Sequence, residues 1–180
     1  NTESFNEMVD IFPEFRLSGL TTGATYDRTF YGSRLGVGDN RETRYNVTGG
    51  NTAVLDLNVA NNVDESVSAT GITPDSFGEI TIFIEPGPNN DNANHFTYLG
   101  VLRIDLAGSE QSWMLDCGAA GSPTDPQEPQ PETSWNNIFA TVGGDDNGSA
   151  PDLVTTDGAA TGASLQMVSR FNGANQSGSR

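Results

Sequence analysis

Short segments in which apolar and polar residues alternate recur through most of this chain, and they constrain its fold more than any other feature. In 53–59, for example, Leu55, Leu57 and Val59 occupy every second position. A period of two is typical of β-strands that bury one face. Segments with strand character are 15–20, 26–33, 41–48, 53–59, 66–72, 79–85, 95–106, 113–117, 135–142 and 162–169. They predict about nine or ten short strands, and the only candidate helix is 4–12.

Turn-forming residues separate the predicted strands. Gly, Asn, Asp and Pro cluster in 49–51, 86–92 and 143–148, among other places. Gly, Asn and Asp tolerate positive φ angles and Pro fixes the entry to a turn, so these residues favour tight connections. Only 34% of the residues are hydrophobic, so the core must be lean. We therefore expect an all-β fold, an antiparallel β-sandwich of the jelly-roll-like kind with little helix.

The length of 180 residues fits one domain, and we expect a single β-sandwich over 1–180 with 1–110 as its larger part. Residues 118–133 contain four prolines among Glu, Gln and Asp, which indicates an exposed loop. The smaller part, 134–180, is too short to hold a core alone. It is expected to complete the sheet, either of its own chain or of a neighbouring copy.

The charge of the chain is strongly negative. Acidic residues outnumber basic ones by 24 to 8, which gives a formal net charge of −16, and all eight basic residues are Arg. Nucleic acid and anionic membranes repel a chain of this charge, so neither is an expected partner.

Cysteine content and chain start bear on the compartment. Cys117 is the only cysteine, so no disulfide can form inside the chain. No apolar run approaches the ~18 residues that span a bilayer, so membrane insertion is not expected. The sequence does not begin with Met and shows no signal-peptide segment, which we interpret as a processed or excised piece. We expect an extracellular or cell-surface location.

Several short motifs are distributed over most of the chain: 15–20 (FRLSGL), 30–34 (FYGSR), 39–45 (DNRETRY), 71–75 (GITPD), 96–102 (FTYLGVL), 135–138 (WNNI) and 157–162 (DGAATG). Together they resemble a secreted repeat domain found in large surface and polysaccharide-associated proteins of bacteria. The resemblance implies a jelly-roll or galactose-binding-like sandwich, generally without an assigned activity.

The order of these motifs departs from the family pattern. In the domains that the chain resembles, the part equivalent to 115–180 comes first, whereas here it comes last. Joining Arg180 to Asn1 restores the family order. Three explanations stay open: a circular permutant, one period of a tandem array, or a subunit whose last strands complete the sandwich of the next. We expect copies of the same chain as partners, and a non-catalytic structural or adhesive role in a filament or surface array joined by strand exchange.

The alternative hypothesis is a calcium-dependent carbohydrate-binding module attached to a polysaccharide-degrading system. Side-chain oxygens in flexible turns suit Ca²⁺, although Asx turns that cap their own backbone explain the same residues. The candidate calcium ligands are Asn89, Asp91, Asp145, Asp146 and Asp39.

Aromatic and Arg side chains are the candidates for contact with a polysaccharide. The set is Trp113, Tyr31, Tyr45, Arg34 and Arg41. Core packing of the aromatic rings and internal ion pairing of the Arg side chains are the competing interpretations. Candidate glycosylation sites of the N-x-S/T type are Asn46, Asn147 and Asn175.

No catalytic residues are predicted. His95 is the sole histidine, and no Gly-x-Ser-x-Gly motif is present to supply a nucleophile. Asp116 precedes Cys117, and a neighbouring carboxylate raises rather than lowers a thiol pKa. A hydrolase is therefore the least favoured class.

Overall fold

The computed structural model describes residues 2–5, 12–118, 134–139, 149–169 and 173–175. These residues form fourteen β-strands, and no helix occurs among them. No helix in this part of the chain is therefore long and apolar enough to cross a membrane. The strands are β1 (Thr2–Phe5), β2 (Glu14–Ser18), β3 (Tyr26–Tyr31), β4 (Glu42–Thr48), β5 (Thr52–Asn58), β6 (Val67–Ile72), β7 (Ile80–Pro86), β8 (Thr97–Leu99), β9 (Val101–Leu106), β10 (Ser112–Gly118), β11 (Trp135–Phe139), β12 (Ser149–Ala150), β13 (Ser164–Ser169) and β14 (Gly173–Asn175).

Two large sheets form the body of the protein. The six-stranded sheet has the order β12-β13-β2-β7-β4-β5, and the five-stranded sheet has the order β11-β10-β9-β3-β6. The pairs are antiparallel except β10–β11, which is parallel. The chain changes sheet between β2 and β3, between β3 and β4, between β5 and β6, and between β6 and β7, as in Greek-key sandwiches. The predicted all-β sandwich is confirmed.

The core lies between the two large sheets and follows from the alternation in the sequence. Ile80, Ile82 and Ile84 on β7 are fully buried, as their spacing predicts. The rings of Phe30 on β3 and Tyr45 on β4 stack at 4.6 Å between centroids, which brings one side chain of each sheet into direct contact.

Each of the predicted strand segments contains a strand, but the number of strands is larger than predicted. β1, β12 and β14 have four residues or fewer, too few to show an alternating pattern. The segment 95–106 is divided at Gly100 into β8 and β9, which belong to different sheets. Ser4 and Phe5, at the start of the candidate helix 4–12, lie in β1 instead, and 6–11 fall outside the described residues.

The later part of the chain packs onto the earlier part. β13 pairs with β2 in the register Leu165 to Leu17, and Leu165 and Met167 are buried in the common core. Gly118, the first residue of the predicted loop 118–133, ends β10 instead, and 119–133 lie outside the described residues, so the exposure of 119–133 stays a prediction.

The side chain of Arg28 is a charged group in the core. Arg28 on β3 is 0% exposed, between the buried positions Tyr26 and Phe30. Its Nη1 donates to the Tyr26 carbonyl oxygen at 3.0 Å, but Nε and Nη2 reach no acceptor among the described residues. Burial lowers the pKa of Arg28 to about 10, so the side chain is still a cation at pH 7. A buried charge without an ion-pair partner destabilises the folded state.

Replacing Arg28 by Met should raise the free energy of unfolding by about 1–4 kcal/mol, because an apolar side chain of similar length replaces a desolvated cation. Urea denaturation followed by tryptophan fluorescence measures the change. Arg103→Met is the matched control, since the Arg103 side chain is 53% exposed and should contribute less than about 1 kcal/mol through its pair with Asp105. A clear loss of stability in Arg28→Met would contradict this account of Arg28.

Candidate assembly site

A third, smaller sheet lies beside the start of β4, at one end of the sandwich. It has the order β14-β1-β8, and both of its pairs are antiparallel. We call it the small sheet. It contains the first and the last of the described strands, together with a strand from the middle of the sequence.

The backbone of β8 is fixed to the sandwich through β4. The Tyr45 hydroxyl donates to the Tyr98 carbonyl oxygen at 2.7 Å. The Tyr98 N–H in turn donates to Thr43 Oγ1 at 3.1 Å. Burial raises the pKa of Tyr45, so its hydroxyl stays a protonated donor. Because Thr43, Tyr45 and Tyr98 are all buried, the position of β8 is set by the core.

A cluster of polar and aromatic side chains also holds the Tyr98 ring. We call it the Arg41 cluster, and its members are Asp39, Arg41, Asn92, Phe96 and Tyr98. The Arg41 guanidinium lies over the Phe96 ring at 5.5 Å and over the Tyr98 ring at 5.8 Å, and it donates to the Tyr98 hydroxyl. Its Nε donates to Asp39 Oδ1 at 3.0 Å, and the Asn92 amide donates to Asp39 Oδ2. Hydrogen bonds from Arg41 and Asn92 hold the pKa of Asp39 below its usual value.

Two loops rich in Asp and Asn meet beside this cluster. The Asn89 N–H donates to Glu42 Oε1 at 2.8 Å, and the Asn40 N–H donates to Asp91. The Asn90 amide donates to the Glu42 carbonyl oxygen at 2.9 Å. Asp and Asn side chains that bond to nearby backbone are typical of tight turns. These bonds join the loop that precedes β4 to the loop that precedes β8.

The candidate calcium ligands divide into two groups. Asp39, Asn89 and Asp91 come to the same end of the sandwich, where the contacts described for their side chains are hydrogen bonds to other side chains or to backbone N–H groups. Asp145 and Asp146 lie outside the described residues. No group of three or more His, Cys, Asp or Glu side chains suited to a metal ion occurs in the part of the chain that the structure describes.

The candidate sugar-binding residues are brought together only in part: Tyr45 and Arg41 both donate hydrogen bonds to Tyr98. Trp113 is 4% exposed and packs at 5.9 Å from the Tyr26 ring, and Tyr45 is 0% exposed, so neither ring offers a face to a ligand. Arg41 belongs to the Arg41 cluster. Tyr31 is half-buried on the outer side of β3, and Arg34 is half-buried at an isolated bridge to Ala60.

The remaining candidates also have definite positions. The Asn46 side chain on β4 donates to Glu85 Oε1 at 2.8 Å. Asn175 belongs to β14, and Asn147 lies outside the described residues. Cys117 is buried, and His95 lies on an exposed turn with a φ of 50°.

The sequence did not indicate that Arg41 and Tyr98 contact each other. They are 57 positions apart, and no periodic pattern connects them. The only signal was that both fall inside motifs of the family resemblance, 39–45 and 96–102.

Comparison of the chain with protein-family models, with curated proteins and with solved structures found no match. The resemblance to secreted bacterial repeat domains therefore stays a prediction.

Replacing Arg41 by Met should lower the free energy of unfolding by about 1–3 kcal/mol, because a partly buried, charge-assisted hydrogen-bond network loses its central donor. Hydrogen exchange should also become faster in β8. Arg44→Met is the matched control: Arg44 forms a pair with Asp56 at 2.8 Å, but both side chains are 31% exposed, so the loss should stay below about 1 kcal/mol. Equal effects of the two substitutions would show that the Arg41 cluster does not stabilise β8.

Proposed function

We propose that this chain is a non-catalytic structural or adhesive module of the extracellular space or cell surface, whose copies join in an array or filament by strand exchange. One observation carries the proposal. Strands distant in sequence complete two sheets together: β13 pairs with β2, and β14 pairs with β1. The same pairs can form between copies, because a strand makes the same backbone hydrogen bonds whichever chain supplies it.

The charge of the chain favours a contact between copies that is made of backbone hydrogen bonds. With a formal net charge of −16, copies repel one another over distances set by the ionic strength. Strand pairing does not depend on side chains of opposite charge, so it can join surfaces of the same sign. Screening by salt weakens the repulsion and leaves the hydrogen bonds in place, so salt should favour assembly.

The experiment is to follow the size of the purified 180-residue chain as concentration and salt increase, with light scattering and electron microscopy. Ordered polymers of uniform width that grow with salt are expected. A monomer at every concentration and salt level would overturn the proposal. Polymers that dissolve on adding salt would indicate a contact made by opposite charges. That result would overturn the proposal that strand exchange joins the copies.

The second candidate function is a calcium-dependent carbohydrate-binding module attached to a polysaccharide-degrading system. The observation that favours it is the convergence of Asp39, Asn89 and Asp91 at one end of the sandwich. Ca²⁺ binds carboxylate and amide oxygens of the kind that these side chains carry.

Under this alternative, added Ca²⁺ should raise the melting temperature, and a chelator should lower it again, because binding to the folded state alone stabilises it. Mg²⁺ at equal concentration is the control. A melting temperature unaffected by Ca²⁺ and chelator, together with no retention on a polysaccharide panel, would eliminate this candidate.

A further inference from the structure

We propose that the exchanged strand is β1, which enters the small sheet of the next copy between β8 and β14. This inference rests on the proposed assembly by strand exchange and identifies the strand that connects the copies. It differs from exchange of the later part of the chain, in which β13 would be the strand that moves.

The pairing within the small sheet makes β1 the element that completes it. β1 pairs with β14 from Thr2 opposite Asn175 to Ser4 opposite Gly173. On its other side it pairs with β8, from Glu3 opposite Leu99 to Phe5 opposite Thr97. Among the described residues, β8 and β14 pair with no other strand in this sheet. If β14 keeps its position, removal of β1 leaves a gap about 9–10 Å wide between β8 and β14, the space of one strand.

One wall of this gap is preformed. β8 is fixed by Thr43 and Tyr45, as described above, and Gly100 continues the attachment. The Gly100 N–H donates to the Tyr31 carbonyl oxygen at 2.9 Å, and its own carbonyl oxygen accepts from the Cys117 N–H at 3.0 Å. None of these bonds involves β1. An acceptor edge that is rigid before binding loses little conformational entropy when a strand arrives.

No strand pair of the two large sheets includes β1, although β1 also lies beside β10. Every strand pair in them joins members of the set β2 to β7 and β9 to β13, so departure of β1 leaves their hydrogen bonds intact. β13 differs, because it pairs with both β12 and β2 and carries the buried residues Leu165 and Met167. Departure of β13 would open the main core, so β1 is the strand that can leave a folded copy.

The connection to β2 sets the reach of β1. The Pro13 carbonyl oxygen accepts from the Ile84 N–H at 3.0 Å, which fixes the chain beside the sandwich. Between Phe5 and Pro13 an extended chain spans at most about 26–29 Å. β1 can therefore enter only a small sheet that lies within this distance, which fits a close head-to-tail contact between neighbouring copies.

Disulfide trapping between two single-cysteine chains tests the inference, with Cys117→Ala in every variant. Glu3→Cys and Ala174→Cys report on β1, because Glu3 and Ala174 are direct partners across β1 and β14. Arg16→Cys and Gln166→Cys report on β13 in the same way. Each pair is mixed unfolded, refolded together at assembling concentration, oxidised and run on a non-reducing gel. Directly opposed residues lie within disulfide reach.

A covalent heterodimer from Glu3→Cys with Ala174→Cys, and none from Glu3→Cys with Gln166→Cys, is the expected result. A heterodimer only from Arg16→Cys with Gln166→Cys would overturn the exchange of β1 and leave assembly by strand exchange standing. No heterodimer from either pair would overturn both.

A second measurement needs no change in the chain. A synthetic peptide of residues 1–12 in excess should compete for the gap and stop polymer growth, whereas a scrambled peptide of the same composition should not. Equal polymer yield with the two peptides would overturn the exchange of β1.

Discussion

The hydrogen bond from Tyr45 to the backbone of Tyr98 is the interaction on which the arrangement of the three sheets depends. The Tyr45 ring stacks on Phe30 across the core, and its hydroxyl lies 2.7 Å from the Tyr98 carbonyl oxygen. One side chain therefore contacts the six-stranded sheet, the five-stranded sheet and the small sheet. A buried hydroxyl needs an acceptor, and the acceptor here is a main-chain group that no change of side chain removes.

At the polar end of the sandwich, side chains also hold segments together through hydrogen bonds, some of them to main-chain groups. Asp39, Arg41 and Asn92 bond to one another, and Asn90 bonds to the backbone of both Glu42 and Phe96. Much of the hydrogen-bonding capacity of these loops is thus used inside the fold. In a sequence, many Asp and Asn residues indicate cation binding. In this fold the same side chains also join two loops by hydrogen bonds. Calcium binding at Asp39 would require its bonds to Arg41 and Asn92 to rearrange.

Much of the fold could be predicted from the sequence, because alternation is a local property. Ile80, Ile82 and Ile84 face the core as their spacing indicates. The same rule fails at Arg28, which shares the apolar face of β3 with Tyr26 and Phe30, since polarity alone would place a charge outside. Gly100 was also missed, because a change of sheet within one continuous strand-like segment depends on partners elsewhere in the chain.

Less of the candidate site could be predicted from the sequence, because its contacts also join residues that are far apart in the chain. The pairing of β1 with β14 joins positions 169 to 173 residues apart, and the contact of Arg41 with Tyr98 spans 57. Trp113 and Tyr45 carry the chemistry of sugar-binding residues, but the strand positions that they occupy face inward. Residue type indicates what a side chain can bind, but its position in the fold decides whether a ligand can reach it.

The antiparallel register of β1 and β14 has a mechanical consequence. Thr2 lies opposite Asn175, so force applied to these two residues of one closed copy would separate the strands one hydrogen bond after another. When β1 sits in a neighbouring copy, the pull comes instead through the residues that follow Phe5 and acts along the strand. The bonds to β8 are then loaded together, in shear, because Phe5 lies opposite Thr97 whereas Gly100 fixes the other end of β8 to the sandwich. Within a copy β1 would therefore separate from β14 at low force, whereas its bonds to β8 of a neighbouring copy would resist a higher force.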